Sequence, residues 1–245
     1  MKSGYLSELF ASFQGEGAHA GRRHLFVRLA GCNLRCRYCD TPDSLERTRQ
    51  FTVHRENAPA DVRGNPVSAA AVRELIEELC HADGAIDAVA ITGGEPLVQA
   101  EFLAEVLRPR LGWPVLLETN GMLPHRLRAV VDCIDIISMD VKLPSNSGEG
   151  AFWAEHAEFM RAASGVERYM KILIDDATSD GDVQRATELI RAHAPGVAVF
   201  LQPIMDEQNR PVLGARRLAD MYALARRDIP TVRVLPQLHK LLGIR

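Results

Sequence analysis

The stretch "GCNLRCRYCDT" (31–41) places Cys32, Cys36 and Cys39 within one short loop, in a chain of 245 residues with five cysteines in all. Three thiols so close together cannot all pair with one another, so the loop asks for a metal. Thiolates are soft ligands that suit zinc or iron–sulfur centres. Structural zinc needs four ligands closed into a tetrahedron, and the histidines at hand, His24 and His54, lack the short paired spacing such sites use. Three thiolates on one tight loop instead suit three corners of a four-iron cluster, with the fourth iron left to a non-protein ligand. Taken alone, the loop favours the cluster over zinc by a narrow margin.

A second signal is "TGGEP" (92–96), which closes the apolar run 86–91. Two adjacent glycines strip the chain of side chains, so backbone N–H and C=O groups can approach a ligand closely. The competing reading is a plain strand-to-helix turn with Pro96 at the helix start.

Both motifs need elements to hold them. Short apolar runs rich in strand formers recur at 24–31, 86–94, 114–121, 134–141, 168–175, 197–204 and 230–236. Helical patterns lie between most of them. In 68–82, Val72, Leu75, Ile76 and Leu79 recur at helical spacing and Ser68 can cap the start. Further helices are expected at 98–110, 151–164, 180–194 and 214–227. Strand–helix alternation of this kind predicts parallel strands joined by right-handed crossovers, and six or seven units suit a complete or partial β/α barrel. Residues 1–245 read as one α/β domain. The polar stretch 43–66 has no clear periodicity and is expected to be an irregular loop insertion. Both cysteine loop and glycine turn then fall at the C-terminal ends of strands, where a β/α barrel places its chemistry.

On the strand before the cysteine loop, Phe26, Arg28 and Ala30 share one face. An arginine in such apolar company needs a partner when buried. Its planar fork suits a ligand carboxylate, and the alternative is an internal acid such as Glu118. Composition excludes other classes. The chain is 47% hydrophobic with a net charge of −3, acids and bases interspersed, so there is no basic face for nucleic acid. No run of about 18 apolar residues predicts a membrane span, and the N-terminus has no apolar signal-peptide core. Cys80 and Cys133 lie alone in apolar surroundings and read as inert, buried thiols. A reducing cytoplasm fits this usage, because clustered cysteines there bind metals more often than they form disulfides.

Cys-x3-Cys-x2-Cys followed by a GGEP motif resembles the radical S-adenosylmethionine (SAM) superfamily. The resemblance implies that Cys32, Cys36 and Cys39 hold a [4Fe–4S] cluster whose fourth iron is chelated by SAM, with Tyr38, Asp40 and Gly94 beside that cofactor. "SFQGEG" (12–17), "FVRLAGCNLRC", "CDT" (39–41), "LETNG" (117–121), "LQPI" (201–204) and "QLHKLLGIR" (237–245) narrow it. Together they resemble the 7-carboxy-7-deazaguanine synthase family. That family has an incomplete, TIM-like β/α barrel and works as a homodimer. It converts 6-carboxy-5,6,7,8-tetrahydropterin to 7-carboxy-7-deazaguanine with release of ammonia, on the route to queuosine. SAM is regenerated there, Mg²⁺ assists, and an electron comes from a flavodoxin-type donor. Carried over by position, Phe13, Gln14, Gly15, Arg28, Thr92, Glu118 and Asn120 would contact the pterin. Thr41 would bind Mg²⁺, and Ser138, Lys142 and Gln202 would contact SAM. The chain departs from many relatives in "SMDVK" (138–142), where they read Ser-Pro-Lys, so Asp140 is expected to share that role. The alternatives are an activating enzyme that installs a glycyl radical on a partner protein, and a zinc-binding module without catalysis.

Overall fold

A two-residue rhythm along the strands decides what this protein can do. The computed structural model describes residues 2–56 and 58–245. Its strands are β1 (Ser3–Gly4), β2 (Leu6–Phe13), β3 (Arg23–Leu29), β4 (Gln50–Val53), β5 (Asp61–Gly64), β6 (Val67–Ser68), β7 (Ala88–Gly93), β8 (Val115–Thr119), β9 (Ile136–Asp140), β10 (Glu167–Ile174), β11 (Val199–Pro203) and β12 (Val232–Val234). Ten of them form one sheet in the order β12-β11-β10-β9-β8-β7-β3-β2-β4-β5. From β3 through β7 to β12 every neighbour is parallel, while β2 runs antiparallel to β3.

One face of this sheet is curled inward. Phe10, Phe26, Ala90, Leu116, Ile136, Tyr169 and Phe200, one from each of seven strands, are buried together as a single apolar cluster. Phe10 and Phe26 stack with ring centroids 5.0 Å apart. Side chains alternate across a strand, so the next inward position on each is two residues away. Those positions are Glu8, Arg28, Thr92, Glu118, Ser138, Lys171 and Gln202, all polar or charged. An apolar floor thus carries a polar layer directly above it, at the C-terminal ends of the parallel strands. No pairing joins β12 to β5 among the described residues, so this is the expected partial barrel, left open on one side.

The outer face carries the main core: Leu25, Val27 and Leu29 of β3 and Val89 and Ile91 of β7 pack beneath the helices. These are α1 (Ala69–Asp83), α2 (Ala100–Leu107), α3 (Pro124–Leu127), α4 (Pro144–Ser147), α5 (Trp153–Ala162), α6 (Asp180–His193), α7 (Ala215–Ala225) and α8 (Leu238–Leu242). In α1 the predicted stripe of Val72, Leu75, Ile76 and Leu79 is buried, and the Ser68 hydroxyl accepts a hydrogen bond from the Ala71 N–H at 3.3 Å. No helix among the described residues is long and apolar enough to cross a membrane.

One expectation from the sequence fails here. The segment 43–66 is not irregular throughout: β4 and β5 form an antiparallel ladder that extends the sheet beyond β2. Phe51 and Val53 alternate inward and are 2% and 0% exposed, but four residues are too short a run for the period to declare itself. The N-terminal residues 6–13, for which the sequence suggested no element, form strand β2, which pairs with β3 on the side away from β7 and gives Glu8, Phe10 and Phe13 to the cavity lining.

Candidate active site

The cysteine loop leaves β3 and is stitched to its surroundings by backbone bonds. Gly31 N–H donates to Ser44 O at 2.8 Å and Cys32 N–H to Leu45 O at 3.1 Å. Cys32, Cys36 and Cys39 are free, half-buried thiols and open together into a cavity of about 390 Å³ above the polar layer. Burial pushes the Cys32 and Cys36 thiols above their ordinary pKa, so a metal must supply the charge that keeps them as thiolates.

Three thiolates on one loop are one short of the four ligands that close a structural zinc site, whereas they suffice for three corners of a cubane.

The glycine turn packs against this loop. Gly94 N–H donates to Leu29 O at 3.2 Å and Glu95 N–H to Gly31 O at 2.9 Å. A Cβ on Gly94 would lie 2.5 Å from Gly31 O and 2.7 Å from Ser44 O, and one on Gly93, at φ +139°, would meet Leu29 O at 2.1 Å. Both glycines are therefore needed for close approach between two loops, a reason not anticipated from the sequence. Pro96 does follow in a short 3-10 turn, with the Glu95 carboxylate accepting from Leu97 N–H at 3.0 Å.

Every residue that the resemblance placed at the cluster, SAM, Mg²⁺ or pterin lines this cavity except Ser138. Ser138 pairs in register with Glu118 of the polar layer but is 1% exposed and does not line the cavity; Asp140 lines it in its place. The chain's Asp140-Val141-Lys142 thus occupies the site end of β9. Lys142 Nζ lies 2.9 Å from Asp140 Oδ2 and 5.3 Å from the centroid of the Tyr38 ring. Burial pushes the Tyr38 phenol up to about 12, so it stays protonated.

Lys171, not anticipated, projects from β10 between two acids. Its ammonium pairs with Glu16 and lies 3.1 Å from Asp140 Oδ1. Burial alone would raise the Glu16 carboxyl, but Lys171 beside it, together with the Gln237 amide, holds it down at about 2. Glu16 Oε1 accepts from Gln202 Nε2 at 2.9 Å and Gln237 Nε2 at 2.8 Å, and Gln237 Nε2 also reaches Asp40 Oδ2 at 2.7 Å. Gln202 Oε1, buried, meets no protein partner. Gln202 itself is one of the residues lining the cavity.

Opposite lies a second polar group. Glu118 accepts from Gln14 Nε2 at 2.8 Å and from Thr92 Oγ1 at 2.7 Å. Arg28 does not pair with Glu118, the internal acid considered from the sequence; its partner is Glu8, with Nε 2.9 Å from Oε1. Asn120 uses its side chain both as a turn former, accepting from Met122 N–H at 3.1 Å, and as a donor to Asn33 Oδ1 at 3.0 Å. Thr41 makes no side-chain cap to the following turn, and its hydroxyl lies 3.9 Å from Cys39 Sγ. Helix α8 covers one side of the cavity, with Leu238 N–H donating to Gly15 O at 3.0 Å and Lys240 Nζ 3.5 Å from Asp40 Oδ2. His239 and Lys240 of that helix line the cavity too. Both stand in the terminal motif read from sequence, but no spacing rule marked them as site residues.

Residues 27–175 match the radical SAM superfamily model. A 7-carboxy-7-deazaguanine synthase of Geobacter sulfurreducens is 37% identical over 97% of this chain and 96% of its own length. The chain belongs to the 7-carboxy-7-deazaguanine synthase family of the radical SAM superfamily. The synthase of Methanopyrus kandleri is 35% identical over 96% of this chain and 92% of its own. Among solved structures, QueE from Escherichia coli superposes with a TM-score of 0.61 at 21% identity, covering 96% of this chain and 94% of that one. A radical SAM methyltransferase from Sphaerobacter thermophilus gives 0.60 at 13% identity, over 94% and 77%. At these identities the two structures speak for the fold. Membership implies a [4Fe–4S] cluster and SAM, and the three thiols and the Lys142 ammonium that line one cavity fit both.

Proposed function

We propose that this chain converts 6-carboxy-5,6,7,8-tetrahydropterin to 7-carboxy-7-deazaguanine with release of ammonia, as a radical SAM lyase. The observation that carries this reading is the cavity itself. The cysteine loop forms one wall, and Arg28 with the Gln14–Glu118–Thr92 triplet forms another, in a chain that aligns end to end with such synthases. When bound, the cluster and SAM supply a hydrogen-abstracting radical. The protein's own side chains hold the two partners in register. Cys32, Cys36 and Cys39 grip the cluster. Lys142 offers an ammonium to a carboxylate of SAM, and Tyr38, Asp40, Asp140, Gly94 and Gln202 surround that cofactor.

On the substrate side, Arg28 spends its Nε on Glu8, which leaves its terminal nitrogens for a carboxylate. Glu118, already fixed by two donors, accepts from the amide and amine edge of the pterin. Phe13, Gln14, Gly15 and Asn120 complete the contact. The floor of aromatic and aliphatic side chains keeps water from beneath. Thr41, with its hydroxyl free of any cap, offers a hard oxygen ligand for Mg²⁺.

A homodimer, a flavodoxin-type electron donor and a reducing cytoplasm complete the proposal. The five free cysteines suit that compartment. The test is anaerobic reconstitution followed by mass spectrometry of the product, with 5′-deoxyadenosine measured in parallel. A brown, iron- and sulfide-containing protein that turns over this pterin is expected; a reconstituted protein that cleaves SAM but leaves the pterin untouched would overturn the substrate assignment.

A further inference from the structure

His156 lies on α5, is 0% exposed and does not line the cavity. Its Nε2 lies 3.1 Å from the backbone carbonyl of Asn120. A carbonyl only accepts, so Nε2 carries the hydrogen, and burial keeps the ring neutral by lowering its pKa to about 4. The other groups of Asn120 are equally engaged. Its N–H donates to Glu95 Oε2 at 2.8 Å, its Oδ1 accepts from Met122 N–H at 3.1 Å, and its Nδ2 donates to Asn33 Oδ1 at 3.0 Å. Glu95, 0% exposed, also accepts from Thr119 Oγ1 at 2.9 Å.

The far end of this chain of contacts is the cysteine loop. Asn33 stands between Cys32 and Leu34, and Leu34 N–H donates to Cys32 Sγ at 3.4 Å. Hydrogen bonds to ligand sulfur tune the potential of an iron–sulfur cluster. The partners that orient metal ligands govern how firmly the metal is held.

We propose that His156 and Glu95 are positioning residues for the cluster. Between them they fix the Asn120 backbone, so that the Asn120 amide holds Asn33 and with it the turn that sets the Cys32 sulfur. The proposal rests on the cluster reading of the loop, and its test separates the two: a wild-type protein that binds no iron overturns both, whereas normal iron in the wild type with silent variants overturns only the positioning.

The experiment uses the reconstituted full chain and three variants, His156→Leu, Asn33→Ala and the double. Each single change should speed iron loss to a chelator, on the order of tenfold, and shift the cluster's midpoint potential in the same direction. The reduced cluster's electron paramagnetic resonance signal should change in both. Because the two residues act through one link, the double variant should be little worse than the more severe single. His156→Gln, whose amide N–H can still donate to the Asn120 carbonyl, should recover most of the wild-type potential. A His156→Leu protein that melts earlier yet keeps the potential, the spectrum and the chelation rate would make His156 a core residue only. Strict additivity in the double variant would overturn the link. Asn33 is exposed, so its variant reports on the same contact even where His156→Leu fails to fold.

Discussion

Arg28 and Glu8 face each other on adjacent antiparallel strands, with Arg28 Nε 2.9 Å from Glu8 Oε1. Glu8 is shared: Arg245 donates to its other oxygen at 2.8 Å and His54 lies 3.3 Å away. Removing Arg28 therefore leaves Glu8 with other partners, and Arg28→Ala should fold and load its cluster as the wild type does. Substrate affinity should fall. Losing a hydrogen bond to a charged group costs about 1.5–3 kcal/mol, equivalent to roughly ten- to a hundredfold in binding. Arg28→Lys should recover only part of it, because an ammonium has no fork to share between Glu8 and a ligand. Calorimetry with the pterin under anaerobic conditions decides the matter. Wild-type affinity in Arg28→Ala would reduce Arg28 to a structural partner of Glu8.

Single changes of Cys32, Cys36 or Cys39 to Ala each remove one corner ligand and should abolish stable cluster retention. Cys80→Ala and Cys133→Ala should leave iron and sulfide content at the wild-type level. Both are buried in the outer core, 2% and 3% exposed, away from the cavity. Iron analysis after reconstitution is the measurement, and a requirement for Cys80 or Cys133 would break the ligand assignment.

Gly94→Ala tests loop packing. The added methyl would lie 2.5 Å from Gly31 O and 2.7 Å from Ser44 O, and backbone oxygens cannot rotate away as a side chain would. The cysteine loop must move outward from β7. Cluster content should drop severely while the far-ultraviolet circular dichroism spectrum stays close to wild type. Full iron occupancy in this variant would show that the two loops are less tightly coupled than the contacts imply.

Thr41→Ala addresses the metal ion. The hydroxyl caps nothing, so its loss should cost little stability. Turnover should respond less to added Mg²⁺ while iron content is unchanged. Identical Mg²⁺ stimulation in variant and wild type would remove Thr41 from the proposed ion site.

Much of this was legible in the chain because period-2 alternation and the cysteine spacing are local signals. Phe26 and Arg28, Leu116 and Glu118, and Phe200 and Gln202 each put a floor residue and a site residue two positions apart, and the strands carrying them could be read directly. What escaped depends on contacts between distant segments. Glu8 became Arg28's partner only because β2 pairs with β3, and residues 6–13 did not read as a strand. Lys171 stands in a strand that was recognised, but its burial between Glu16 and Asp140 needs three elements to meet. Ser138 was placed beside SAM by its position in a motif, but its side chain is buried, 1% exposed, and Asp140 two residues on lines the cavity instead.

Acid stability depends in part on a buried histidine at the lower end of the barrel. His24 on β3 is 0% exposed, and neither ring nitrogen meets a protein partner. Burial, reinforced by His19 nearby and Arg22 and opposed by Asp87, lowers its pKa to about 4. An unfolded histidine titrates near 6.5. Between these values the unfolded chain binds a proton at this position and the folded one does not, so His24 lowers stability as the pH falls from about 6.5 toward 4. The slope for one proton is about 1.4 kcal/mol per pH unit, or roughly 3 kcal/mol across the window. His24→Leu removes the titration and keeps a side chain of similar volume among Phe26 and its neighbours. Denaturant unfolding of the metal-free protein at pH 7, 6 and 5 should show the variant gaining on the wild type at each step downward. Parallel stability curves would mean that His24 takes up its proton as readily in the fold as out of it.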